Sequence, residues 1–452
     1  MFAIASSLRR FFGDDFCAYS ARFFADGCLG ISPIQEQAVL TTSIQQARSQ
    51  DRFYQVIYYS ITQIVLGSEA LAIFAKILMT FAICFLVFRI GSWFLGVRLG
   101  LFSVVLFVAT YPLLGYNTLT NLPGWFNLGA VAFLVFLDQF LRIFLDGGRI
   151  SRLSVAFFYA GFLVSLLSYE MYVGISVALL LLIGMQRSHV KKRTGASWSA
   201  NQLRHYWILW LLILLYLVAY LTFMFSSAGT YGGTDVTTLS PIAITSTLML
   251  LSLGAIPLSL FSGIHTIVKE PAGIEITGLV SIGSISWTVL LAAIVFTLLI
   301  LSSLTLLSTD ISKSVMSGFC WIVLISLIFL PNLLLSLTQR YRDWSLAYPF
   351  YLTTLNSHIF LCIFLVAVGS KFILVSRFSK VVCMLIFIPL LVLSSLSKAS
   401  YFSESLQFNG RLYALEIRAK DNTSGKSLNY REVDKEIGAF PYRFAEVYLN
   451  KR

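Results

Sequence analysis

The sequence predicts an all-α polytopic membrane protein, and three observations carry that prediction. Apolar residues make up 57% of the chain and charged ones only 12%, about half the charge of an average soluble domain. Apolar runs of about 20 residues recur along it, the length a helix needs to cross a hydrocarbon core. Those runs do not alternate, so the short two-faced strands of a membrane β-barrel are excluded. Mean hydropathy is +0.80. The net charge of +12 does not point to nucleic acid, because the Lys and Arg gather in short segments between apolar runs, the positive-inside pattern.

Residues 1–69 are expected to form an acidic loop followed by an interfacial helix. Gly13 to Gly27 holds two adjacent carboxylates, Asp14 and Asp15, with Tyr19 and Arg22. Like charges side by side are costly to bury. One of the two suits the N-cap of an amphipathic helix bearing Phe16, Tyr19, Phe23 and Phe24. The other is the candidate catalytic base. Phe53 to Leu66, just after Asp51 and Arg52, is aromatic and too short and polar to cross, so it reads as a helix lying in the interface.

Spans are expected at about 70–89, 98–116, 125–143, 153–168, 171–186 and 206–226. Basic residues mark the segments 89–98, 142–152 and 186–205, the last being the richest, and alternation puts all three in the cytoplasm. The outer face then receives the N-terminal stretch, the uncharged segment 116–124 and the tight junction Ser168-Tyr169-Glu170-Met171-Tyr172. Residues 241–263 contain Pro257 and many Ser and Thr, and a re-entrant or interfacial course fits the charge rule better than a crossing. Further spans at about 286–307, 315–337, 347–369 and 380–397 bring the bundle, residues 70–397, to ten or eleven helices. Residues 398–452 form a polar tail on the outer face.

Topology thus gathers Asp14, Asp15, Arg22, Asp26, Arg52, Glu170, Asp235, Arg340, Arg342 and Asp343 on one face. Glu170 lies between aromatic residues at a junction of two apolar spans, where an ionised group is expensive unless paired. The plainer reading is a carboxylate reaching to the interface. Arg340 and Arg342 run against the positive-inside trend, and a planar guanidinium holds phosphate with two parallel bonds. They equally suit headgroup anchors. Lys76, near the start of the first span, is expected to reach outward or to be structural, and Asp138 is expected to pair with Arg142 four residues on. Cys84, Cys320, Cys362 and Cys383 read as small core hydrophobes, while Cys17 and Cys28 suit a disulfide only in an oxidising compartment. No metal-spaced His/Cys cluster, phosphate loop or Ser-His-Asp pattern is present, and the four histidines argue against a His-based site. No metal and no cofactor is expected.

This order of features resembles the GT-C superfamily of membrane glycosyltransferases, which includes bacterial O-antigen glucosyltransferases. The likeness rests on Asp14-Asp15 with Tyr19 to Arg22, on Asp51-Arg52-Phe53, on Ser168 to Tyr172, and on Leu330-Pro331-Asn332 with Gln339-Arg340-Tyr341. It implies an inverting enzyme of the bacterial inner membrane that moves a sugar from a polyprenyl-phosphate donor to a cell-envelope glycan or lipid. It also implies Asp14 or Asp15 as base, and Arg22, Arg52, Glu170, Arg340 and Arg342 as substrate-binding residues. One departure stands out: the family places a transmembrane helix before its acidic loop, whereas only residues 1–12 precede Gly13 here. The alternatives are a transporter or flippase of lipid-linked saccharide, expected to show ionisable groups within its spans, and an O-antigen polymerase, expected to show a large late outer loop.

Overall fold

The computed structural model describes residues 69–111, 125–146, 151–194, 198–226, 240–253, 318–337 and 354–373. Helices account for nearly all of them, and there is no strand among the described residues. We number the helices α1 (Glu69–Leu95), α2 (Val97–Thr110), α3 (Trp125–Leu141), α4 (Arg152–Leu166) and α5 (Met171–Thr194). They continue as α6 (Ala200–Ser226), α7 (Pro241–Leu253), α8 (Gly318–Leu337) and α9 (Thr354–Ile373). Windows in α1, α5 and α6, and one running from α3 through the π turn Arg142–Asp146, are long and apolar enough to cross a membrane. The chain is an all-α membrane protein. The acidic loop, the interfacial helix, the spans expected at 286–307 and 380–397 and the tail lie outside the described residues.

Where helices start, short side chains supply the missing acceptors. The Ser151 hydroxyl accepts from the Ser154 amide at 3.1 Å to open α4. Ser199 and Gln202 form a reciprocal box at the start of α6: the Ser199 hydroxyl accepts from the Gln202 amide, and the Gln202 carbonyl from the Ser199 amide. The same Gln202 donates through Nε2 to the Ile143 carbonyl at 2.9 Å, fastening α6 to the end of α3.

Two expected loops are helical instead. α1 runs past Arg89 to Leu95, and α2 begins at Val97, so a single residue, Gly96, joins them. Its φ of 87° lies where only glycine is comfortable. The basic segment after residue 186 is also largely helix, since α5 continues to Thr194. Lys and Arg end the apolar run without ending the helix, because both are good helix formers.

α1 packs on α2 and α3, α3 on α4, α9 on α2, and α8 on α5, α7 and α9. The core is aromatic. Phe136 of α3 meets Phe158 and Phe162 of α4 with ring centroids 5.3 and 4.9 Å apart. The helices come this close because Gly161 faces the α3 backbone; a Cβ there would stand 2.7 Å from the Ala132 carbonyl oxygen. Phe133 carries the core onward to Tyr172 of α5 and Phe360 of α9.

Candidate functional site

Contacts between polar side chains sort into two ends of the bundle. At the basic end, Asp138 of α3 is 2% exposed and accepts from Arg89 of α1 through both oxygens, at 3.2 and 2.9 Å. Gln139 Nε2 donates to the same carboxylate at 2.7 Å, and Arg142 Nε stands 3.7 Å away. The pairing expected with Arg142 is therefore present, but Arg89 is the closer partner. Beside it, Tyr159 of α4 and Nδ1 of His205 of α6 share a hydrogen bond of 2.6 Å.

The opposite end is where the sequence expects the outer face, and there the buried polar groups of α9 and its neighbours are uncharged. Four of the first five residues of α9 are polar and buried: Thr354, Asn356, Ser357 and His358. Asn356, Ser357 and His358 each meet a polar residue brought by a neighbouring helix. Asn356 Nδ2 donates to the Tyr172 hydroxyl at 3.2 Å, beside Met171 Sδ at 3.9 Å. Asn332 of α8 donates through Nδ2 to Ser252 of α7 and to Ser357 of α9, both at 3.1 Å. Asn332 follows Pro331, which lies inside α8 and has no N–H to give the Leu327 carbonyl one turn back.

At the end of α2 the Thr110 hydroxyl donates to the Leu106 carbonyl at 2.7 Å. With that proton committed, its oxygen accepts from His358 Nε2–H at 3.1 Å, which leaves Nδ1 as the ring's acceptor. Cys362, one turn along α9, has its sulfur 3.4 Å from the same Nε2, and the ring of Tyr111 meets His358 edge-on.

Glu170 is half-buried in the turn between α4 and α5, and its carbonyl accepts from the Val173 amide at 3.0 Å. Its place just before the first turn of α5 suits a negative charge, since the free amides there carry the positive end of the helix dipole. The turn is tight: Ser168 and Tyr169 are buried, and a Cβ on Gly129 of α3 would meet Ser168 Cβ at 2.6 Å. Of the residues expected to act in catalysis or substrate binding, Glu170 is the one described. Asp14, Asp15, Arg22, Arg52, Arg340 and Arg342 lie outside the described residues.

No family model, curated protein or solved structure matches the chain. The site therefore has to be read from its own chemistry.

Sequence reasoning missed His358 and Asn356, and met Asn332 only as part of Leu330-Pro331-Asn332. His205 and His358 are both buried in hydrogen bonds within the bundle. The signal was there in Thr354 to His358, a polar cluster inside an apolar run. Of the two courses open to Lys76, the structure shows the structural one: the residue is 1% exposed, inside the bundle, and does not reach outward. Among the described residues no group of three or more His, Cys, Asp or Glu could hold a metal ion.

Proposed function

We propose that the chain is a GT-C-like inverting glycosyltransferase. It moves a sugar from a polyprenyl-phosphate donor to a cell-envelope glycan or lipid at the outer end of the bundle. The observation that carries the reading is the gathering of buried amides and hydroxyls from α2, α5, α7, α8 and α9 at the end of the bundle where the Glu170 turn opens α5. Polar groups kept inside apolar helices are costly and usually functional. A sugar, with its many hydroxyls, is the ligand whose donors and acceptors such groups match.

In the reaction the acceptor hydroxyl attacks the anomeric carbon as the bond to the polyprenyl phosphate breaks. Asp14 or Asp15 takes the acceptor proton. Arg22, Arg52, Arg340 and Arg342 hold the departing phosphate, and Glu170 binds the sugar.

The test uses purified full-length protein with radiolabelled polyprenyl-phosphate sugars. Asp14→Asn or Asp15→Asn should lower transfer at least about 100-fold with normal expression, and Glu170→Gln should raise KM. If the wild type consumes no donor, or if both Asp variants transfer normally, the reading fails.

The buried Lys76 and the Arg89–Asp138 pair favour a second reading, a transporter or flippase of lipid-linked saccharide, because they are ionisable groups within spans. Movement of lipid-linked saccharide across liposomes without bond cleavage would select it.

A further inference from the structure

One face of α1 is exposed and apolar along its length and ends on a charge. Leu78, Phe81 and Phe85 follow one another at spacings of three and four, so they form one stripe, and Arg89 is the next residue on it. All three apolar residues are more than half exposed. The stripe from Leu78 to Arg89 is about 16 Å long, the depth of one leaflet's hydrocarbon. The Arg89 guanidinium stands 5.8 Å from the centre of the Phe85 ring, so the charge caps the apolar stripe directly.

The charge at this cap does not cancel. Asp138 has two guanidiniums around it, Arg89 at 2.9 Å and Arg142 at 3.7 Å, which leaves the trio with one net positive charge. The carboxylate is buried, whereas the Arg89 and Arg142 side chains are 28% and 41% exposed. The Arg142 Nε makes no hydrogen bond, and Arg142 opens one of the basic segments that the charge pattern of the sequence puts at the membrane surface.

We propose that this stripe and the Arg89/Asp138/Arg142 trio form a binding site for an anionic phospholipid of the leaflet at the basic end. One acyl chain lies along Leu78, Phe81 and Phe85, and the phosphate is held by Arg142 with the free edge of Arg89. Asp138 fixes the Arg89 guanidinium with two hydrogen bonds and holds Arg142 close by charge alone, so the site is built around a fixed group and is not merely basic. A planar guanidinium with donors to spare suits a phosphodiester, and basic pockets between helices on this side of a membrane attract anionic headgroups. The site is at the opposite end from Glu170 and does not depend on the glycosyltransferase reading.

Native mass spectrometry of the delipidated full-length protein tests this, titrating phosphatidylglycerol and phosphatidylcholine of the same chain length. The wild type should retain phosphatidylglycerol at least about fivefold better. Arg142→Gln should bring the ratio close to one. Arg142→Lys, which keeps the charge, should preserve most of the preference. Arg152→Gln removes an exposed charge from the same end and should leave the ratio unchanged. Millimolar inorganic phosphate should not displace the lipid, since the stripe contributes to binding. Equal retention of the two lipids by the wild type would overturn the proposal. So would equal losses in Arg142→Gln and Arg152→Gln, which would mean a diffuse basic surface, or displacement by phosphate, which would mean a plain anion site.

Discussion

Replacing Asp138 by Ala isolates the value of the buried charge at the basic end. The wild-type carboxylate accepts two hydrogen bonds from Arg89 and one from Gln139. Removing one partner of a fully buried ion pair costs about 3–5 kcal/mol, because the remaining charge stays buried and alone. Arg89 is 28% exposed, so water and headgroups recover part of that. An expected cost of about 2–3 kcal/mol remains. The double substitution Arg89→Met with Asp138→Leu removes both charges and keeps apolar volume, and should cost less than about 1 kcal/mol.

Thermal denaturation of the detergent-purified protein, followed by intrinsic fluorescence of its 8 tryptophans, reads the difference. At about 2–4 °C per kcal/mol for a domain of ordinary size, and less in a longer chain, Asp138→Ala should lower Tm by about 5 °C. The double variant should fall within about 2 °C of the wild type. If the double variant melts as low as Asp138→Ala, or lower, the cost does not come from a stranded charge and the reasoning is wrong.

Two further outcomes follow from other contacts. Asn332→Ala removes the donor that ties α7 and α9 to α8, and should cost about 1–3 kcal/mol, seen as a lower melting temperature. Gly100→Ala places a Cβ 2.5 Å from the Ser92 amide nitrogen and 2.8 Å from its Cα, against backbone that cannot yield. It should destabilise the α1–α2 pair by about 1–3 kcal/mol, and a Gly129→Ala variant, which meets mainly a serine side chain, should lose less in the same melting assay.

The helical class and the approximate places of the described helices were legible in the sequence, because hydropathy reports directly on what lipid will accept. The ends of helices were not. Hydropathy falls where the bilayer stops, while α5 and α1 carry their hydrogen bonding on through Arg187 and Arg89. The turn at Ser168 to Glu170 was legible because two apolar runs with no room for a loop must reverse there. Partners distant along the chain were not legible. Arg142 lies one helical turn from Asp138 and offers itself as the pair, whereas Arg89 is 49 residues away and announces nothing. The polar cluster of α9 was visible as a run of residue types, but its meaning depends on Thr110, Tyr172 and Asn332, supplied by three other helices.

The one-residue joint at Gly96 bears on how the protein is made. With no loop between them, α1 and α2 cannot be released into the bilayer as separate events, and the translocation machinery must accommodate a bent pair. α2 is about 21 Å long, short for a span, and it leans on α1 through small residues. When the pair has entered, Arg89 is already near the membrane surface, but the carboxylate that will hold it has yet to leave the ribosome. Synthesis of α3 therefore supplies the carboxylate that neutralises Arg89, and ties the first hairpin to the helix that follows it.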